Sequence, residues 1–223
     1  MPRSEIAYLN REAFAELTDA LGRAFERQDP KPYTISQAQR TKDERVRLRI
    51  TELEDGVVFP LITELAGQMG ILFSSSADRE VRSSSYGELI EDGDRFETAA
   101  TIQFVSPLIV EVQHLPIPFP VMPSAIARYV EVWNAFAPMK FPLSPEALKR
   151  IAMTDFKISC MPTPFGIGGQ GWVTLGMGRG MTEEYIGLFN CLVDFSFYSG
   201  TGLHTDFGLG QTTRMEGKVQ RPR

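Results

Sequence analysis

Gly200-Thr201-Gly202-Leu203-His204-Thr205-Asp206-Phe207-Gly208-Leu209-Gly210 is the segment on which the reading of this sequence turns. It holds four glycines in eleven residues, and what flanks it fixes its place in the fold. Upstream, Thr182 caps a helical run whose apolar residues include Phe189, Leu192, Val193 and Phe197. That run ends at Ser199-Gly200, where glycine supplies a left-handed cap. Downstream, Gln211 to Met215 reads as a strand. A loop so rich in glycine lets the backbone approach another body closely. Its successive amides can form an anion-binding concavity that suits phosphate, or the glycines serve only to turn the chain. The segment alone leaves both readings open.

Working outward, Thr101-Ile102-Gln103-Phe104 alternates as a strand. Pro116, Pro118, Pro120 and Pro123 form a stiff connection to a helix carrying Ile126, Val130 and Trp133 on one face. Phe156–Ser159 and Gly171–Met177 read as two strands of a glycine-rich hairpin. With the last helix and strand, the second half therefore runs β-α-β-β-α-β, the ferredoxin-like order. In the first half, Asn10 caps a helix near 11–27, Tyr33–Ile35 is a short strand, and Val57–Met69 is a second helix. Ile71–Phe73 starts a strand that leads into the serine-rich stretches Ser74–Ser76 and Ser83–Ser85, read as a loop or a polar-faced strand. Arg45-Val46-Arg47-Leu48-Arg49-Ile50 is the clearest strand; its period of two sets Val46, Leu48 and Ile50 on one face and three guanidiniums on the other. The expectation is an α+β protein of two tandem ferredoxin-like (RRM-like) lobes, 1–95 and 96–223. The first lobe is expected to lack its opening strand, with residues 1–10 unassigned.

The chain has 223 residues, a formal charge of -5 and 43% hydrophobic residues, enough for an ordinary core. Cys160 and Cys191 form no C-x-x-C pair, and His114 and His204 are the only histidines, so no disulfide framework, metal centre or cofactor is expected. No apolar run has membrane-spanning length and no signal-peptide layout opens the chain, so a cytoplasmic location with no membrane partner is expected. The net charge speaks against a nucleic-acid partner, but the distribution matters more than the sum. Basic residues gather at Arg40, Lys42, Arg45, Arg47 and Arg49, and again at Arg214, Lys218, Arg221 and Arg223. Arg45, Arg47 and Arg49 are either the solvated face of a half-buried strand or a contact for a polyanion.

Four stretches in order carry a resemblance. The glycine segment follows the pattern G-x-G-x-(basic)-(Thr/Ser)-x-x-G-x-G, with His204 at the basic position and Thr205 after it. Lys31-Pro32-Tyr33-Thr34-Ile35-Ser36 matches K-P-(aromatic)-T-x-S after the first helix, and Phe104-Val105-Ser106-Pro107 matches F-x-(Ser/Thr)-P. Leu115-Pro116-Ile117-Pro118, followed by Trp133-Asn134-Ala135-Phe136, matches a proline linker and a W-N-x-F helix end. Together they resemble the CRISPR repeat-RNA processing endoribonucleases of the Cas-six family. The resemblance implies binding of precursor and mature CRISPR repeat RNA, with other Cas proteins of an effector complex as further partners. It also implies a single cut without metal, in which the RNA's 2′-hydroxyl attacks the adjacent phosphate to leave a 2′,3′-cyclic phosphate and a 5′-hydroxyl.

Carried onto this chain, the resemblance names Lys31, Tyr33 and His204 as candidate catalytic residues. Arg27, Arg45, Arg47, Arg49, Gly200, Gly202, His204, Thr205, Gly208 and Gly210 become candidate RNA contacts. The chain departs from the pattern at the end of the first helix. Many members carry a histidine there, and this chain reads Ala24-Phe25-Glu26-Arg27-Gln28. An arginine or lysine stabilises phosphate charge but is a poor base near neutral pH. A stem-holding subunit of a CRISPR ribonucleoprotein that has lost cleavage is therefore the alternative reading.

Overall fold

The computed structural model describes residues 1–73, 81–92, 97–142 and 145–215. Its first half is built from β1 (Arg3–Leu9), α1 (Arg11–Ala24), β2 (Tyr33–Ile35), β3 (Gln39–Arg40), β4 (Val46–Glu52), α2 (Phe59–Met69), β5 (Leu72–Phe73), β6 (Arg82–Ser83) and α3 (Tyr86–Glu91). The second half comprises β7 (Ala99–Leu108), β8 (Val110–Val112), β9 (Leu115–Ile117), α4 (Met122–Phe136), α5 (Pro145–Leu148), β10 (Ile151–Thr163), β11 (Gly166–Met177), α6 (Glu183–Ser199) and β12 (Thr212–Arg214). Among the described residues, no helix is long and apolar enough to cross a membrane.

Two antiparallel sheets carry the tandem ferredoxin-like folds. Their strand orders are β2-β4-β1-β5 and β10-β11-β7-β12. In each, the strand that opens the unit lies between its third and fourth strands, the ferredoxin-like arrangement. The first half therefore does have its opening strand. β1 pairs with β4 over Arg3 to Leu9 and holds the middle of the sheet. Its sequence hides it because both faces are covered: Ser4, Ile6, Ala7 and Leu9 are all buried, so the alternation that marks a half-exposed strand is absent. The boundary expected near residue 95 and the stretch Ser74–Ser76 lie outside the described residues.

Local chemistry accounts for the helix ends. Asn10 caps α1, its side-chain oxygen accepting from the Ala13 amide at 2.8 Å. Ser85 and Glu88 form a capping box on α3. α2 has no capping side chain of its own. Glu52, buried at the end of β4, supplies one, accepting from the amides of Val58 at 2.6 Å and Phe59 at 2.8 Å. The carboxylate thus lies where the helix dipole favours negative charge. The proline-rich connection is a small hairpin, β8–β9, ahead of α4 rather than an unpaired linker. The glycine-rich hairpin is longer than its sequence signals, with β10 of 13 residues and β11 of 12.

The apolar residues form two cores. One gathers Ala13, Leu17, Leu21, Leu48, Ile50 and Ile62 around α1, α2 and the first sheet. The other centres on Phe104, Tyr129, Trp133, Phe189 and Phe195, and it also takes in Leu53, Tyr86 and Leu89 from the first half. Replacing Glu52 with alanine should lower unfolding stability by about 2 kcal/mol, because two buried amides at the start of α2 lose a charged acceptor. Urea denaturation of wild type and Glu52→Ala checks this.

Candidate functional site

The glycine segment packs between the two halves. Gly208 forms a parallel bridge with Ser36, just beyond β2, and a Cβ at Gly208 would meet Gln37 Cα at 2.9 Å. A Cβ at Gly202 would lie 2.2 Å from the Ile109 carbonyl oxygen, and one at Gly210 would lie 1.9 Å from that of Thr201. Gly200, Gly202, Gly208 and Gly210 all have positive φ. These glycines allow backbone to lie on backbone inside the protein. The loop's hydrogen bonds follow the same pattern: the Thr201 amide donates to Gly210 O, Leu203 to Ile109 O and Gly210 to Pro107 O. The residues left at least partly exposed are Leu203 to Phe207, between Gly202 and Gly208, whereas Thr201 and Leu209 are buried. A short 3-10 turn, Thr205–Phe207, follows His204, which is itself left-handed at φ 60°.

A cleft of about 670 Å³ opens between this loop, the end of α1 and α4. Lys31, Gly200, Gly202, His204 and Thr205 line it together, so the sequence-predicted residues from the two halves meet there. Arg128 of α4 also lines it, donating to Asp29 at 2.6 Å and to Glu131 at 2.8 Å. Burial works against the Arg128 charge, but those two carboxylates outweigh it and hold its pKa above the usual value. The wall is mixed in charge, since Glu26, Asp29, Glu111, Glu131 and Asp206 share it with Lys31, Arg128 and His204.

The other predicted residues lie elsewhere. Tyr33 is buried in the first core, its ring 5.6 Å from that of Phe25. Burial, aided by the negative charge of Asp206, pushes its hydroxyl pKa far above the ordinary tyrosine value, which keeps it neutral. Lys31 Nζ donates to the carbonyls at the end of α1, Phe25 O at 2.7 Å being the nearest. Phe25 fills the histidine position of the family pattern as a half-buried core ring. Arg27 is exposed beyond α1, and neither it nor Arg45 and Arg47 lines the cleft. Arg45 pairs with Asp43 at 3.5 Å.

Arg49 corrects the expectation of a solvated guanidinium face. It is buried, with its guanidinium carbon 4.1 Å from the centre of the Phe197 ring of α6. It lines a second cleft of about 680 Å³ with Arg82, Gln211 and Arg214. Arg214 is bound to Asp194 at 3.2 Å, to Asn190 at 2.7 Å and to Glu97. Its sequence neighbours Lys218, Arg221 and Arg223 lie outside the described residues.

Asp206 is a residue that sequence reasoning missed. Burial pushes its carboxyl pKa above the ordinary range, against a hydrogen bond from its own amide and the charges of Lys31 and His204. Its position between the signature's threonine and third glycine gave no chemical signal of its own; the cleft supplies one.

Two ferredoxin-like sheets with a glycine loop wedged between them and a polar cleft beside that loop define a tandem ferredoxin-like α+β protein. Comparison with known proteins narrows the class. Residues 102–212, about half the chain, match the family model of the CRISPR-associated endoribonuclease Cas6. The chain belongs to this family. Curated protein sequences yield no match. Among solved structures, the product complex of Cas6 TTHB231 from Thermus thermophilus is similar, with a TM-score of 0.79 and 20% identity, covering 96% of this chain and 99% of that one. The product complex of the Thermus Cas6 TTHA0078 gives a TM-score of 0.79 at 19% identity, and its substrate mimic complex gives 0.78 at 20%, each with the same coverage. At these identities the likeness is one of fold.

The glycine geometry can be tested against an internal control. Gly56 also has positive φ, at 74°, but open space where its Cβ would be. Gly56→Ala should therefore cost only the conformational term, roughly 1–2 kcal/mol. Gly210→Ala should cost distinctly more, since its Cβ collides with main chain. Paired denaturation curves read the difference.

Proposed function

We propose that this chain binds CRISPR repeat RNA through two lobes divided near residue 95, and cuts the precursor once at the cleft beside the glycine loop. The observation that carries the reading is the meeting of Lys31, His204 and Thr205, from motifs far apart in sequence, on one cleft wall. Cleavage proceeds without metal. The 2′-oxygen of one nucleotide attacks the adjacent phosphorus, the bond from phosphorus to the 5′-oxygen breaks, and a 2′,3′-cyclic phosphate and a 5′-hydroxyl result. The proton leaving the 2′-hydroxyl needs a base and the departing 5′-oxygen needs a proton, while cations stabilise the crowded phosphate. Lys31 and the imidazolium form of His204 are the phosphate-stabilising groups. Tyr33 was the expected proton-transfer partner, but a deeply buried neutral phenol suits packing better.

Phe25 favours a second reading. A core ring stands where many members carry histidine, which leaves the first half without an imidazole. In that reading the chain holds the repeat stem inside a Cas ribonucleoprotein and does not cut. Electrophoretic binding to the repeat RNA followed by incubation in EDTA separates the two. Cyclic-phosphate products support the endoribonuclease, and binding without product supports the holding subunit. A magnesium requirement or a 3′-hydroxyl product overturns the metal-free mechanism.

Three substitutions test the roles. Lys31→Ala should slow single-turnover cleavage by about tenfold or more if the ammonium faces the scissile phosphate; its stability is measured alongside, because Lys31 also caps α1. Phe25→His should leave binding unchanged and speed cleavage. His204 is tested by two substitutions. His204→Ala should weaken binding of the repeat RNA if the imidazole faces a phosphate. Lysine restoring binding and cleavage relative to His204→Ala makes the residue a phosphate clamp, and lysine restoring binding alone makes it the proton-transfer group.

A further inference from the structure

Three planar rings from two distant parts of the chain meet beside the cleft, and neither core contains them. Phe165 occupies the turn between β10 and β11, where its amide donates to the Thr163 hydroxyl oxygen at 3.1 Å. Its ring lies nearly flat on the His204 imidazole, with centroids 3.9 Å apart and planes 12° from parallel. Phe207 completes the group, its ring 5.3 Å from Phe165 and 6.4 Å from His204. Phe165 is 37% exposed and Phe207 58% exposed. A phenylalanine left more than half in water gains little from folding, so fold stability does not explain Phe207.

The charge of the cleft bears on what these rings can do. Five carboxylates line it against Lys31, Arg128 and His204, and Arg128 is already bound to two of them. Coulomb attraction alone therefore gives a polyanion weak retention here. Stacking needs no net charge, and every nucleobase presents a face suited to it. Single-stranded RNA bases are commonly bound by stacking on aromatic side chains.

Resting on the reading of this cleft as an RNA site, we propose that Phe207, backed by Phe165, is the stacking platform for one unpaired nucleobase of the repeat beside the phosphate at His204. His204 and Phe207 are three residues apart in one turn, their rings 6.4 Å apart, so a phosphate at the imidazole and a base on Phe207 fall within the reach of a single nucleotide. Phenylalanine offers no hydrogen-bonding group, so the platform requires an unpaired base and is indifferent to which base it is.

The test combines protein and RNA changes in one cycle. Binding of the repeat RNA, and of RNAs made abasic at each unpaired nucleotide in turn, is measured for wild type, Phe207→Ala and Phe207→Trp. Phe207→Ala should weaken binding of intact repeat by roughly tenfold, the scale of one base–aromatic stack, and Phe207→Trp should restore it. At one abasic position wild type should lose the same factor while Phe207→Ala loses nothing further, the signature of a direct pair. Changing the base identity at that position should have little effect. If Phe207→Ala binds intact repeat normally, or its loss persists in full on every abasic RNA, the platform is overturned, and the second outcome makes Phe207 structural or a contact for a protein partner. If wild type fails to bind the intact repeat at all, the RNA reading of the cleft falls first and the platform with it.

Discussion

Arg49 sets how the two sheets sit against each other. It leaves β4 on the face opposite the first core and lies over the Phe197 ring of α6, also donating to the Phe197 carbonyl at 3.3 Å and to the Gln211 side chain. Arg82 of β6 lies over the same ring at 4.2 Å. The buried Arg49 contact is of the desolvated kind, worth about 2 kcal/mol, and the exposed Arg82 contact adds roughly 0.5–1 kcal/mol; two first-half guanidiniums on one second-half ring thus fix the first sheet to α6. Thr34 adds a hydrogen bond to the Tyr198 carbonyl at 2.9 Å. With β4 and β2 held there, Ser36 reaches Gly208, and the cleft between α1 and the glycine loop acquires its walls.

The chemistry on those walls is sparse. Lys31 is partly engaged by the α1 carbonyls, Tyr33 is locked neutral in a core, and Phe25 offers no titratable group. Asp206, its carboxyl pKa raised by burial, and His204 face the cleft beside the loop, with Glu26, Asp29, Glu111 and Glu131 on the same walls.

Much of the fold was legible because the half-buried elements follow their periods: Asn10 and Thr182 mark helix starts, and the alternation through Leu48 and Ile50 marks β4. β1 was illegible because it is central and covered on both faces, so Ser4 and Glu5 interrupt what would otherwise read as a buried strand. Arg49 looked like a solvated charge because the partner that buries it, Phe197, lies 148 residues away. The cleft was half legible. The motifs named Lys31, His204 and Thr205, which line one cleft, but nothing local distinguishes Asp206, Phe165 or Phe207 from ordinary loop residues. Their meaning comes from packing that joins a hairpin turn to a loop some forty residues further along the chain.

The inward-facing glycines divide the loop into a scaffold and a display. Positions 200, 202, 208 and 210 are fixed by the protein's own backbone and tolerate no side chain, whatever ligand is bound. Positions 203–207 carry no such constraint apart from the left-handed backbone at 204, which glycine and asparagine also adopt readily. Leu203 to Phe207 are therefore the part of the loop most open to substitution, with Thr205 limited by its packing on Gly200. Redesign for a different RNA would vary that display and leave the glycines alone.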